Sequence, residues 1–440
     1  MSRAEGERTS SLVAALAAAL ITATCSRASH LEPKAAAPVV TKAPPAPASA
    51  APAAPAPPAS SAPAAVPAPA PADTLALPQF YAALAGLETG ARRDHARILW
   101  LGDSHTAADY ITGAVRRRLG QRFGVGGPGF IRVGLASYRH GGVKIVRDGR
   151  FRIEPEPPSR RSSEGDTAFG FGGLRATPAD ARARVEIGVD KSAARGALRY
   201  ELLFELPQSA SFRVNIGSQH RKIDAKTAVE RVAGSPLAHL HFEGAAGEPF
   251  EIDTILNTPR FYGLIAEGSE PGIVLDTSGI DGARLATALA WNADVLAAEL
   301  RARRPELVVL AYGTNEAFDN RRAEIHGNEA SELVSRLRRG APNADCLILG
   351  PPDAAAHDFS SLPHVAEIEA ALARAAQKLG CGFYSLRAAM GGDGSFARWM
   401  KESPQLARSD RVHFLPPGYE RMGEALADAL AAAYDRRKGR

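Results

Sequence analysis

From residue 272 onward, short apolar runs alternate with longer stretches of helical period, and few architectures accept that alternation. Gly272-Ile273-Val274-Leu275-Asp276, Leu307–Ala311, Cys346–Leu349 and Cys381–Ser385 read as short buried strands. Helical patterns follow through Leu285–Arg301, near Glu329–Arg338 and over Val365–Leu379. Pro416-Pro417 opens a last helix to Tyr434, proline being suited to a first turn. One more such unit lies far upstream. The run Ile98-Leu99-Trp100-Leu101 precedes a helix over Tyr110–Phe123, in which Ile111, Val115, Leu119 and Phe123 recur every four residues. Strands alternating with helices predict an α/β fold, a doubly wound parallel sheet.

Between these parts the period changes. Arg184-Val185-Glu186-Ile187-Gly188-Val189 and Ser211-Phe212-Arg213-Val214-Asn215-Ile216 alternate polar and apolar residues. Leu198–Leu206 and Leu237–Phe242 also read as strands, with Gly, Pro and Ser clusters between the runs. Short alternating strands without helices predict an all-β sandwich. It interrupts the α/β pattern after the first helix, so its two ends must lie close together. His239 and His241 fall on one face of a strand, and two histidines without a third ligand read as ordinary residues. Gly124-Val125-Gly126-Gly127-Pro128-Gly129 matches Gly-x-Gly-x-x-Gly, but it follows a helix where a dinucleotide fingerprint must follow a strand. It reads as a loop with positive-φ positions.

Leu12–Ala23 is too short for a spanning helix and suits the apolar core of an export signal. Cys25 follows it, as the acylated residue does in a bacterial lipoprotein, although Thr24 replaces the small residue expected just before. Lipid anchoring at Cys25 and plain secretion both remain open. Lys34–Asp73 is almost wholly Ala, Pro, Ser and Val, which cannot build a core and suits an extended spacer. The expected divisions are a signal or lipoprotein-type segment at 1–25 and a linker at 26–75. An α/β domain follows at 76–135 and 264–440, interrupted by a β-sandwich at 136–263. A formal charge of +5 over 440 residues, with scattered basic side chains, gives no basis for nucleic-acid binding. Of the three cysteines, Cys346 and Cys381 sit in apolar runs and are expected to be buried free thiols, with a disulfide as the alternative in an oxidising compartment.

The chemistry-bearing residues lie where the apolar runs end. Gly102-Asp103-Ser104 follows the first strand, and Ser278-Gly279-Ile280-Asp281-Gly282 the second. Gly313-Thr314-Asn315 follows the third, and Asp410-Arg411-Val412-His413 precedes the last helix. In isolation Ser104 reads as a helix cap, Asn315 as a turn residue, and Asp410 with His413 as a surface pair. As an ordered set they resemble the four blocks of the SGNH (GDSL-type) hydrolases. The resemblance covers residues ~77–135 and ~264–434 and implies a flavodoxin-like hydrolase domain.

A serine hydroxyl is a poor nucleophile until a base takes its proton. His413 is the natural base, and Asp410 can reach its far ring nitrogen, fixing the tautomer. The resemblance implies three oxyanion donors: the backbone N–H groups of Ser104 and Gly282, and the side-chain amide of Asn315. Asp103 is expected to be structural, and His105 and Glu316 are assigned no chemistry. No metal or organic cofactor is implied.

The stretch Gly102–Asp109, with a β-sandwich inserted after the first helix, is similar to bacterial peptidoglycan O-acetylesterases. With an export signal and a spacer, it suggests an acylated envelope polysaccharide as substrate. Longer acyl esters, acetyl transfer and silent glycan binding remain as alternatives.

Overall fold

A computed structural model describes residues 74–440 apart from Ser137, Ala181, Asn320 and Arg440. The expected export segment, with Cys25, and the Ala/Pro spacer up to residue 73 lie outside the described residues.

The chain enters through α1 (Pro78–Glu88), β1 (Ala96–Gly102), α2 (Ser104–Ala107) and α3 (Tyr110–Phe123). The strands β2 (Val125–Gly127) and β3 (Gly129–Ile131) follow at once. Then come β4 (Val143–Asp148), β5 (Phe151–Glu154), β6 (Arg175–Pro178), β7 (Arg184–Val189), β8 (Leu198–Glu205) and β9 (Ser211–Ile216). They continue as β10 (Gln219–Ile223), β11 (Glu230–Arg231), β12 (Ala238–Gly244), β13 (Phe250–Leu256) and β14 (Arg260–Gly268). The α/β pattern resumes with β15 (Ile273–Gly279), α4 (Leu285–Leu289), α5 (Ala293–Arg303), β16 (Leu307–Ala311) and α6 (Thr314–Ala317). It runs on through α7 (Ala323–Gly340), β17 (Asp345–Gly350), α8 (Pro363–Leu379), β18 (Gly382–Ser385), α9 (Leu386–Met390), α10 (Ser395–Trp399) and α11 (Pro416–Lys438).

Six strands form one parallel sheet in the order β18-β17-β16-β1-β15-β2. Successive side chains on a strand point to opposite faces. Ile98 and Trp100 accordingly pack with α1, α3 and α11, whereas Leu99 and Leu101 pack with α5, α7 and α8. Every residue of β1 is buried, as a strand covered on both faces must be. The sheet is therefore doubly wound, as the alternation required.

Two antiparallel sheets make the sandwich. One runs β10-β9-β13-β7-β4, and the other β11-β12-β8-β14-β6-β5 with β3 paired to β14. Val185, Ile187, Phe212 and Phe250 from the first meet Leu202, Phe204 and Phe261 from the second in one core. On the far face of the second sheet, Leu203 and Ile265 join the core that holds Trp291 and Val295. This sheet is thus buried on both sides, between its partner sheet and the α/β body. The two bodies meet at Asp276 of β15, whose carboxylate accepts the Phe130 N–H at 2.9 Å and binds Arg303 at 2.6 and 2.9 Å.

Three local expectations are corrected. The helix read through Leu285–Arg301 is two helices. Asn292 breaks it, because its side chain accepts the Asp294 and Val295 N–H groups and caps α5. The last helix runs to Lys438 rather than Tyr434. Cys346 and Cys381, expected as free thiols, form a disulfide. Leu347 pairs with Gly382 on adjacent parallel strands, so the preceding residues lie side by side, with Cα atoms 4.8 Å apart. That register is invisible in sequence. No helix among the described residues is long and apolar enough to cross a membrane.

Candidate active site

Ser104 stands where β1 turns into α2. The turn is tight: a Cβ on Gly102 would lie 2.1 Å from Thr106 Oγ1. Asp103 caps α2, its side chain accepting the His105 N–H at 2.9 Å. Burial pushes the Asp103 carboxyl up to about 8. Ser104 is the first residue of the helix, so its N–H has no intrahelical partner.

The loop before α11 brings Asp410 and His413 to this serine. His413 Nε2 lies 2.9 Å from Ser104 Oγ. Asp410 Oδ2 lies 3.1 Å from His413 Nδ1, while its Oδ1 accepts the Val412 and His413 N–H groups at 3.0 and 2.8 Å. Burial opposes ionisation of Asp410, but these two amides and the imidazole outweigh it and hold the carboxyl below its usual range. Arg411 takes a positive φ of 68°, which folds the four residues tightly enough for the carboxylate to reach the ring. Behind His413, the ring of His105 lies 5.6 Å away and bonds the Tyr419 hydroxyl at 2.9 Å. Burial lowers the His105 imidazole to about 3, leaving it neutral.

Gly282 lies on the loop after β15 and Asn315 in α6 just after β16, these being the two strands that flank β1. Gly102 pairs with Gly279 on one side and Ala311 on the other, so the three loops leave the sheet at one level. The Ile280 N–H donates to the Gly102 carbonyl at 3.1 Å. Gly279 must be glycine, since a Cβ there would lie 2.3 Å from Ala107 N. Gly282 has φ +71°, which suits glycine. Asn315 Nδ2 donates to the Ala283 carbonyl at 3.0 Å and keeps a second N–H. Glu316 ties the same loops together, accepting from Gly313 N at 3.0 Å and Leu285 N at 2.8 Å. Its full burial raises its carboxyl, consistent with an internal brace.

Two supporting residues escaped the sequence reading. Asp109 is wholly buried and binds Arg116, Thr112, Thr277 and the Gly141 N–H, locking the start of α3 against β15 and the sandwich entry. Arg132, also buried, donates to the carbonyls of Gly172 and Gly279. Burial lowers it to about 10. Their partners lie up to 168 residues away, so no local pattern marks them. The glycine-rich stretch, expected as a loop, instead forms β2 and β3 at the entry ends of the strands, though Gly124, Gly127 and Gly129 do take positive φ. A Cβ on Gly126 would meet His95 and Gly272.

Residues 258–421 match the GDSL-like lipase/acylhydrolase family. That stretch is the greater part of the second half of the α/β body, which is thus similar to GDSL-like hydrolases. The solved structure of a peptidoglycan O-acetylesterase superposes on 81% of this chain and 96% of its own, with a TM-score of 0.67 and 24% identity. The match extends the likeness of fold beyond the hydrolase domain to the sandwich. A family two carbohydrate esterase from Cellvibrio japonicus aligns over 67% of this chain and 98% of its own, at a TM-score of 0.28 and 11% identity. No curated protein matches the sequence. Ser104, Gly282, Asn315 and His413 all sit at the carboxyl ends of parallel strands or beside them, the crevice where open α/β sheets bind ligands.

Proposed function

We propose that this chain is a serine esterase that removes O-acetyl or other short acyl groups from a cell-envelope glycan such as peptidoglycan. The observation that carries the reading is the 2.9 Å contact of Ser104 Oγ with His413 Nε2, with Asp410 on the opposite ring nitrogen. His413 Nε2 takes the hydroxyl proton as Oγ attacks the acyl carbonyl carbon. Asp410 keeps the proton on Nδ1 and stabilises the imidazolium. The Ser104 and Gly282 N–H groups and the free N–H of Asn315 receive the oxyanion. His413 then gives its proton to the departing sugar oxygen, leaving acyl-Ser104. Water, deprotonated by the same imidazole, releases the acid and restores the serine.

The acetylated-glycan part of the reading is supported by the shared fold with a peptidoglycan O-acetylesterase, sandwich included. We assign the hydrolase domain to 76–135 and 264–440 and the sandwich to 136–263, although β3 and the end of β14 carry the sandwich's second sheet past both bounds; export through 1–25 and anchoring through Cys25 are the accompanying expectation. The test is acetate release from 4-nitrophenyl acetate and from O-acetylated peptidoglycan by wild type and Ser104→Ala. Equal rates for the two proteins overturn the mechanism.

A further inference from the structure

A segment of the sandwich reaches the turn that carries Gly282. β5 is the edge strand of its sheet, and the chain leaving it crosses onto the α/β body. Two contacts pin the crossing segment beside the turn that carries Gly282. Thr287 Oγ1 donates to the Ser159 carbonyl at 3.1 Å. Arg161 Nη1 donates to Asp319 Oδ2 at 3.2 Å, and Asp319 is itself gripped by both Arg284 Nε and Nη2, at 2.7 and 2.8 Å. Arg284 also donates to the Gly282 carbonyl at 3.0 Å, so turn and segment share one set of anchors.

This seats Ser159 against Gly282. A Cβ built on Gly282 would lie 3.5 Å from Ser159 Oγ and 3.6 Å from its Cβ, in ordinary contact. Beyond the adjoining residues 281 and 283, no other atom among the described residues comes within 4 Å of that point. Ser159 is half-buried, and its hydroxyl has no hydrogen-bond partner among the described residues, although its carbonyl is held. A hydroxyl fixed through its own backbone and left unpaired next to an oxyanion donor is poised to bond what occupies the cleft.

We propose that Ser159 contacts substrate: its hydroxyl hydrogen-bonds the sugar that bears the acyl group, so that the sandwich supplies part of the glycan specificity of the site. This rests on the glycan-esterase reading above and adds to it a role for the inserted domain. A small aryl ester has no sugar to meet Ser159, so the contact shows in the ratio of kcat/KM for O-acetylated peptidoglycan fragments to that for 4-nitrophenyl acetate. Loss of one neutral hydrogen bond corresponds to about three- to tenfold. Ser159→Ala is expected to lower the ratio by that factor, mostly through KM on the glycan. Ser159→Thr, which keeps the hydroxyl, is expected to restore at least half of it. A ratio unchanged in Ser159→Ala overturns the proposal, whether both activities hold or both fall together as a displaced Gly282 turn would cause. Wild type that cleaves the aryl ester but no acylated glycan overturns the glycan reading itself, a result distinct from any Ser159 outcome.

Discussion

Ser104 Oγ and His413 Nε2 lie 2.9 Å apart although 309 residues separate them along the chain. The contact exists only once α11 and the loop before it pack against α3 and the Ile98/Trp100 face of β1. Activity is therefore a readout of that packing as well as of the two side chains.

Ser104→Ala and His413→Ala are each expected to lower kcat on 4-nitrophenyl acetate by roughly 10³–10⁶, and the double variant by little more than either. Steady-state kinetics check this. Multiplying losses would show that the two residues do not act as one unit.

Asn315→Ala is expected to cost about 10²–10³ in kcat with a smaller change in KM if, as proposed, its free N–H meets the developing oxyanion. Its other N–H braces the Ala283 carbonyl, so a modest fall in Tm should accompany the loss. A KM effect alone would argue for a ground-state contact.

His239 offers a pH test away from the cleft. It is buried between Glu201, at 2.6 Å from Nδ1, and Glu299, at 3.2 Å from Nε2. Burial opposes its charge, but the two carboxylates outweigh burial and raise it to about 9. A raised pKa contributes stability that is complete below about 6.5 and disappears as pH rises through 9. Urea midpoints should fall over that window by the equivalent of a few kcal/mol at most, and His239→Gln should flatten the fall. An equally steep slope in the variant would assign the effect to other groups.

The Cys346–Cys381 bridge closes a loop of 35 residues. Loop-closure entropy of that size is worth about 3–4 kcal/mol. A reductant, or Cys346→Ser with Cys381→Ser, is expected to lower Tm by about 5 °C in a chain of this length. Thermal melts with and without dithiothreitol measure it. No change would mean that the bridge adds nothing to the folded sheet.

Much of the α/β body is legible locally, since strand period, helix period and turn chemistry act over a few residues. The alternation Ile98, Trp100 against Leu99, Leu101 already says that β1 is covered on both faces, and Gly102-Asp103-Ser104 already says where it ends. The break at Asn292 was missed because the apolar spacing runs on through it, and only the capping geometry shows the stop. Short helices such as α9 and α10 carry too few residues for a period to show.

By itself the sequence determined the layered α/β class, the all-β interruption and the set of chemically competent residues at the strand ends, because each depends on neighbours in the chain. Tertiary structure alone decided that Cys346 meets Cys381, that Asp109 and Arg132 brace the cleft from inside, and that a serine from the sandwich sits against Gly282. Those contacts depend on strand register and on how two bodies pack, which no short window of residues encodes.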